Sequence, residues 1–569
     1  MIRMSRRRDR TSLGALLGLV VFYLACAAPV PAAQGPGFLV VAPDRGFLGN
    51  QEIRAVFEEF KAAYAAASLL FIGRDYAGVG SPYSEYVSRA LAEFKQAGVT
   101  DLVAIPFFVS DADPILQRVR ASLPEYRHTG TITWAPPMAD SYLIGQVVLD
   151  RAIELSGDHG REQLIVVGFG ATDVDNERSM QRHLGKLADY VSRYRALQET
   201  RSIVYYDRAA PDAEERNTAA DAAVTRMAAK RGRTLAILAT LGPKFDHSMA
   251  FLSSLKQRFQ DIDVVFSHKE LLPHPNVLRW LKKTANAYRP ASAAEIGVII
   301  MPHGADQIWN DAVERVVAPL RSGYQIEMAY GMGDPDIIQE AVTRLEARNI
   351  RRIVFVRMYA LARHLQVRTD YILGLSDALL SKAQSAGHGA HSTPPPQVRS
   401  AALFASFGGY EESPLITDIL HERIMEISRD PAQETVFLVA HGEKTDEGNA
   451  AWLAAIQTHI ERLKGDVHCA QLKAIHAVTV REDWPEQREK AVHHVRQLIQ
   501  EAARDGRTLV IANRLYGAGP YRSLFEGLQY TLNDKGLAHP LLTQWLATGI
   551  ERAAQTLAQP LAVMHPADE

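Results

Sequence analysis

One pattern occurs four times along the chain and constrains its fold more than anything else. A short apolar run ends in a turn, a helical stretch follows, and a second apolar run ends in another turn. The period is roughly 125 to 140 residues, too long for a solenoid repeat and suited to duplicated domains. The third copy is the clearest. It opens with Gly297-Val-Ile-Ile-Met-Pro-His303-Gly304 and continues with Ile353-Val-Phe-Val-Arg-Met-Tyr-Ala-Leu-Ala-Arg-His364. Continuous apolar runs of this length suit buried parallel strands. Between them Trp309, Ala312, Val313, Val316, Val317 and Leu320 recur at helical spacing. Asp334-Pro335 reads as a cap with a first-turn proline, Ile338, Val342 and Leu345 form a second apolar stripe, and Asn349 closes that helix. With a strand near Ile326 to Ala329, the order predicts a parallel sheet covered by helices on both faces. Such sheets bind ligands beyond the carboxyl ends of their strands. His303 and His364 each follow a strand, so the pair is the leading candidate for a chemical centre.

The other copies keep the strands and change the turn residues. The first starts at Phe38-Leu-Val-Val-Ala-Pro43-Asp44 and has its later strand at Leu102 to Phe108, with Asp44 and Asp113 standing where the two histidines stand. The second starts at Leu164 and places Phe169-Gly170 at the first turn. The fourth, from Val436, keeps His441-Gly442 but has Pro520 at the second position. The expected division is residues 36–160, 161–293, 294–430 and 431–560. The carboxyl-terminal half reads as the active module, the amino-terminal half as a degenerate or regulatory one. The third copy also carries a proline-rich insertion with His388 and His391, which reads as a solvated loop.

At 569 residues several domains are required, and a formal net charge of -2 argues against a general nucleic-acid binder. Residues 1–33 have the three parts of a signal peptide: Arg3, Arg6, Arg7, Arg8 and Arg10, an apolar run from Leu13 to Ala28, then small residues around Val30-Pro31-Ala32. The mature protein is therefore expected outside the cytoplasm, most readily in a periplasm, with no membrane association beyond the export signal. Of 2 cysteines, Cys26 falls in this leader and leaves Cys469 alone, so no disulfide framework is available. No nucleotide-binding loop is present.

With Met301-Pro-His303-Gly304 after one strand, Ala362-Arg363-His364 after another, and the His-Pro turns Pro273-His274-Pro275 and Ala538-His539-Pro540, the chain resembles the sirohydrochlorin cobaltochelatase/ferrochelatase family, the small class II chelatases. The resemblance implies an α/β fold: four chelatase-like, flavodoxin-like parallel-sheet lobes, paired within the chain as two bilobal modules. It also implies insertion of a divalent metal substrate, cobalt or alternatively iron or nickel, into a tetrapyrrole such as sirohydrochlorin, without nucleotide hydrolysis. The family histidines fall on His303 and His364. The sequence departs from the pattern at Ala329-Tyr-Gly-Met332, where an acidic residue is usual, and at Pro520.

The chemistry fits these residue types. Neutral imidazole ligates first-row divalent metals and also accepts protons near neutral pH. His303 and His364 are the expected ligands, one doubling as base, with His441 from the facing lobe as a third and Glu327 as a possible acidic helper. Guanidinium forks hold carboxylates, so Arg357, Arg363, Arg368, Arg514 and Arg522 are candidate clamps for a carboxylate-rich macrocycle. Tyr359 and Tyr516 are candidates to pack against its face. The alternative is an exported protein that binds metal or tetrapyrrole without turnover.

Overall fold

A computed structural model describes residues 35–157, 161–230, 232–242, 246–376, 393–517 and 519–560. The leader and the insertion histidines His388 and His391 lie outside the described residues.

The described chain forms four sheets of four strands each. The first holds β1 (Gly37–Pro43), β2 (Ala67–Ile72), β3 (Leu102–Pro106) and β4 (Ile132–Trp134). The second holds β5 (Glu162–Ala171), β6 (Glu199–Tyr206), β7 (Arg233–Leu238) and β8 (Val264–Phe266). The third holds β9 (Ile296–Met301), β10 (Gln325–Met328), β11 (Arg352–Arg357) and β12 (Leu403–Gly408). The fourth holds β13 (Glu434–Ala440), β14 (Ala474–Thr479), β15 (Arg507–Asn513) and β16 (Thr531–Asn533). Each sheet has the spatial order second, first, third, fourth, and the strand pairs are parallel. This is the flavodoxin-like order, with its switch point between the first and third strands. The fold is α/β, with four flavodoxin-like lobes.

The central strands are apolar on both faces because both faces are covered. All six residues of β9 and all six of β11 are buried. The expected Asp334 cap is present: its carboxylate accepts the N–H groups of Asp336 and Ile337 ahead of the helix Pro335–Glu346. Asn349, with φ +62°, takes the left-handed turn beyond that helix.

The lobes exchange their last helices. Tyr142–Leu155, which follows β4, packs on helix Val174–Tyr194 and β7 of the second lobe. In return Pro275–Tyr288, which follows β8, packs on helix Gly46–Lys61 and β3 of the first lobe. The carboxyl-terminal half repeats this: Pro414–Met425 packs on β15, and Pro540–Ala558 packs on β9, β11 and β12. One face of each sheet thus lies in a core shared by two lobes, and the other face in a core of its own.

The His-Pro turns are the latches of this exchange. His274 Nδ1 accepts the N–H of Asn276 (3.1 Å), and its Nε2 lies 3.1 Å from Asp150 on the exchanged helix. His539 repeats the arrangement, with Leu541 N–H at 3.2 Å and Glu422 at 3.0 Å. These two histidines cap helices and belong to the architecture.

Candidate functional site

Between the third and fourth lobes, beyond the strand ends, lies a cavity of about 280 Å³. His303 and Trp309, then Tyr359 and His364, line it from the third lobe; His441, Glu443, Trp452 and the run Glu482-Asp483-Trp484 line it from the fourth, with Arg514. The histidines reach this rim for a local reason. His303 and His441 end their strands and are each followed by a glycine in the left-handed region, Gly304 at φ +82° and Gly442 at φ +87°. That turn sends the chain off toward the next helix and leaves the imidazole at the switch point.

The ring environments differ. His303 Nδ1 lies 2.6 Å from the Gly304 carbonyl and His364 Nδ1 lies 3.1 Å from Glu443 Oε1. In both, an Nδ1–H donor leaves Nε2 with its lone pair. His441 faces acceptors at both nitrogens, the Gly442 carbonyl at 2.9 Å and Asp483 at 3.1 Å. The Asp483 carboxylate beside Nε2 is itself a donor that a divalent metal takes together with imidazole. Among the described residues, these three histidines do not form a cluster with all donor atoms within 4.8 Å of one another. They share a cavity without a pre-closed coordination shell.

The pairing of His364 with Glu443 joins the two lobes. Burial pushes the Glu443 carboxyl up, but the hydrogen bond and charge of His364 outweigh it and hold the group below the ordinary carboxylate value. The Glu443 loop is itself fixed, since Arg481 Nε donates to its carbonyl at 2.7 Å. Aromatic rings set the walls. Tyr359 lies 5.0 Å from His364 between centroids, and Trp452 and Trp484 lie 6.1 Å and 5.7 Å from His441. The Tyr359 hydroxyl donates to the Gly331 carbonyl at 2.6 Å, which fixes its ring.

Most of the expected arginine clamps are elsewhere. Arg357 is 2 % exposed and turned inward, donating to Ser406 Oγ at 3.0 Å beside Asp370. Its strand position puts it in the core, where a solvated carboxylate ligand has no access. Arg368 donates to the Gly333 carbonyl at 2.9 Å, Arg363 is exposed, and Arg522 pairs with Asp534. None of these lines the cavity, nor does Tyr516. Arg514 does, but its Nη1 already lies 3.1 Å from both oxygens of Glu482. Glu327 is held at the surface by Arg344 and Arg348, away from the cavity. The lining therefore sets Glu443, Glu482 and Asp483 against one arginine, an environment for a cation. Glu443 and the 482–484 run escaped sequence reasoning, although Glu443 stands only two residues past His441.

The amino-terminal half has a corresponding cavity of about 460 Å³ lined by Asp44, Asp113 and Phe169. Its carboxylates are spent on structure. Asp44 accepts from Tyr83 (2.6 Å), Asn50 (2.8 Å) and the Gly46 N–H (3.0 Å). Asp113 caps its helix through the Ile115 N–H at 2.9 Å.

Comparison with solved structures finds SirB from Bacillus subtilis with Fe3+, at 13% identity and a TM-score of 0.33, over 44% of this chain and 96% of that one. It also finds DR2241 from Deinococcus radiodurans, a multi-domain protein described as structurally similar to chelatases with two additional novel domains, at 13% identity and a TM-score of 0.29, over 50% of this chain and 60% of that one. No protein-family model and no curated protein matches the chain.

Proposed function

We propose that the cleft between the third and fourth lobes takes up a divalent first-row metal and inserts it into a tetrapyrrole. The observation that supports this reading is the meeting, in one cavity, of imidazole and carboxylate groups: His364 with Glu443 across the two lobes, and His441 with Asp483 within the fourth. A carboxylate on Nδ1–H orients an imidazole and raises the basicity of its other nitrogen. His364, held in this way by Glu443, and His303, held by the Gly304 carbonyl, offer Nε2 to the metal substrate, or to the two pyrrole protons that leave as the metal enters. Trp452, Trp484 and Tyr359 provide flat apolar walls for a flat ring. Pockets for drug-sized ligands span about 300–1,000 Å³. At about 280 Å³ this cavity encloses one edge of a macrocycle and leaves the remainder at its mouth. Cobalt is the first metal to try, with iron and nickel next; export through residues 1–33 belongs to the same proposal and is checked by sequencing the mature amino terminus.

The test is a spectral one. Purified protein is mixed with sirohydrochlorin and Co2+ or Fe2+, and the absorption of the macrocycle is followed against the uncatalysed rate. The expected result is multiple turnovers in the wild type and a loss in His364→Ala. No acceleration with any divalent metal ends the insertion reading. A second reading, binding without turnover, is favoured by Arg514, the arginine of the cavity lining, being already paired with Glu482; stoichiometric metal binding that is lost in His364→Ala, with no acceleration in the wild type, would establish it.

A further inference from the structure

We infer that His421, Asp466 and Cys469 form a second metal site, remote from the cleft residues, for a borderline divalent ion such as zinc or cobalt. One donor atom from each lies within 4.8 Å of the other two. His421 sits on helix Pro414–Met425, the helix that the third lobe lends to the fourth. Asp466 and Cys469 lie in the turn after helix Asp446–Leu463 of the fourth lobe.

Two further observations point to a ligand. His421 Nε2 is shut off from solvent and faces Asp466 Oδ1 at 3.3 Å, too poorly aligned for a good hydrogen bond, so that the two donors converge where an ion can sit between them. The turn is also built to hold its donors. Asp466 Oδ1 accepts the N–H groups of His468 at 2.9 Å and Cys469 at 3.0 Å, which fixes the carboxylate beside the Cys469 side chain. Cys469 is 2 % exposed at the floor, whereas His421 and Asp466 are partly exposed at the rim and leave an entry path. One nitrogen, one oxygen and one sulfur donor select zinc, cobalt or nickel over magnesium or calcium. Three protein ligands leave a fourth position for water.

Binding deprotonates the thiol: the Cys469 S–H bond breaks, a sulfur–metal bond forms, and one proton goes to solvent. The ion ties the lent helix to the lobe that receives it.

The full chain, stripped of metal, is titrated with Co2+. The expected result is a thiolate-to-cobalt charge-transfer band that saturates at one equivalent and is displaced by Zn2+. It is lost in Cys469→Ser and in His421→Ala, and kept in the His303→Ala/His364→Ala double variant, so its fate is distinct from that of the cleft. His421→Ala alters a partly exposed helix position and serves if Cys469→Ser does not fold. Absence of the band in the wild type, or its persistence in both site variants, overturns the inference.

Discussion

At the residue scale, the His364–Glu443 contact carries the most chemical weight, because it fixes one imidazole from one lobe with a carboxylate from the other. Glu443→Gln keeps the shape and removes the charge. Loss of such an outer carboxylate is expected to weaken divalent-metal affinity by about 10–100-fold, read by calorimetry with Co2+. An unchanged affinity would count against metal binding at His364. Glu411 makes a separate prediction. It is 1 % exposed behind the cavity wall, accepts from Asn513 Nδ2 at 2.7 Å, and burial pushes its carboxyl up to about 7. A raised acid favours the folded state at low pH and loses that advantage as pH rises through its folded value. Glu411→Gln should therefore match the wild type below about pH 4 and surpass it by up to about 3 kcal/mol above pH 7. Equal urea stability at pH 8 would refute the assignment of burial as the cause. The strand-end histidines were legible because a residue between a buried strand and a glycine has nowhere to go but the rim. The arginines were not, since Arg357 and Arg363 read alike in sequence while one faces the core and the other water.

At the scale of elements, the capping histidines show what a motif can hide. Pro273-His274-Pro275 and Ala538-His539-Pro540 resemble each other because each must cap a helix and also hold a carboxylate of the helix received in exchange. Replacing a good cap by alanine costs about 1 kcal/mol. His539→Ala should show roughly that loss in thermal unfolding, and His274→Ala a larger one, because Asp150 is more buried than Glu422 (23% against 52% exposed side chains). Equal effects would mean that the difference in burial between the two carboxylates contributes nothing. The buried central strands and the Asp334-Pro335 cap were readable from apolar runs and cap chemistry. β14 was not: Ala474-Ile-His-Ala-Val-Thr is an edge strand with its first four residues half-buried, and its mixed composition hides it. The helix exchange was also invisible, since an amphipathic stripe states that a face is covered and not by which sheet.

At the scale of the whole molecule, the two halves meet through side chains that seize main-chain carbonyls. Tyr142, Gln146, Asn286 and Lys283 of the first half donate to the carbonyls of Val398, Gln397, Ala401 and Ala402 in the second. Asp150 adds a charged clasp that also serves the helix exchange. It accepts Arg399 Nη1 at 2.6 Å and Nη2 at 2.8 Å, and holds the capping His274 at 3.1 Å. Burial raises its carboxyl, but the bonds from His274 and Arg399 outweigh that and hold it well below the usual carboxylate range. A depressed acid contributes its full stability above its unfolded value, about 4, and loses it as pH falls toward the folded value. Because Arg399 is 41% exposed, solvent screens the pair, and Asp150→Asn should cost only about 1–2 kcal/mol at pH 7. In urea unfolding, the gap between Asp150→Asn and the wild type should be present at pH 7 and narrow below pH 4. A gap that stays constant with pH would assign the effect to lost packing, and the absence of any gap at pH 7 would show that the carbonyl contacts alone hold the halves together.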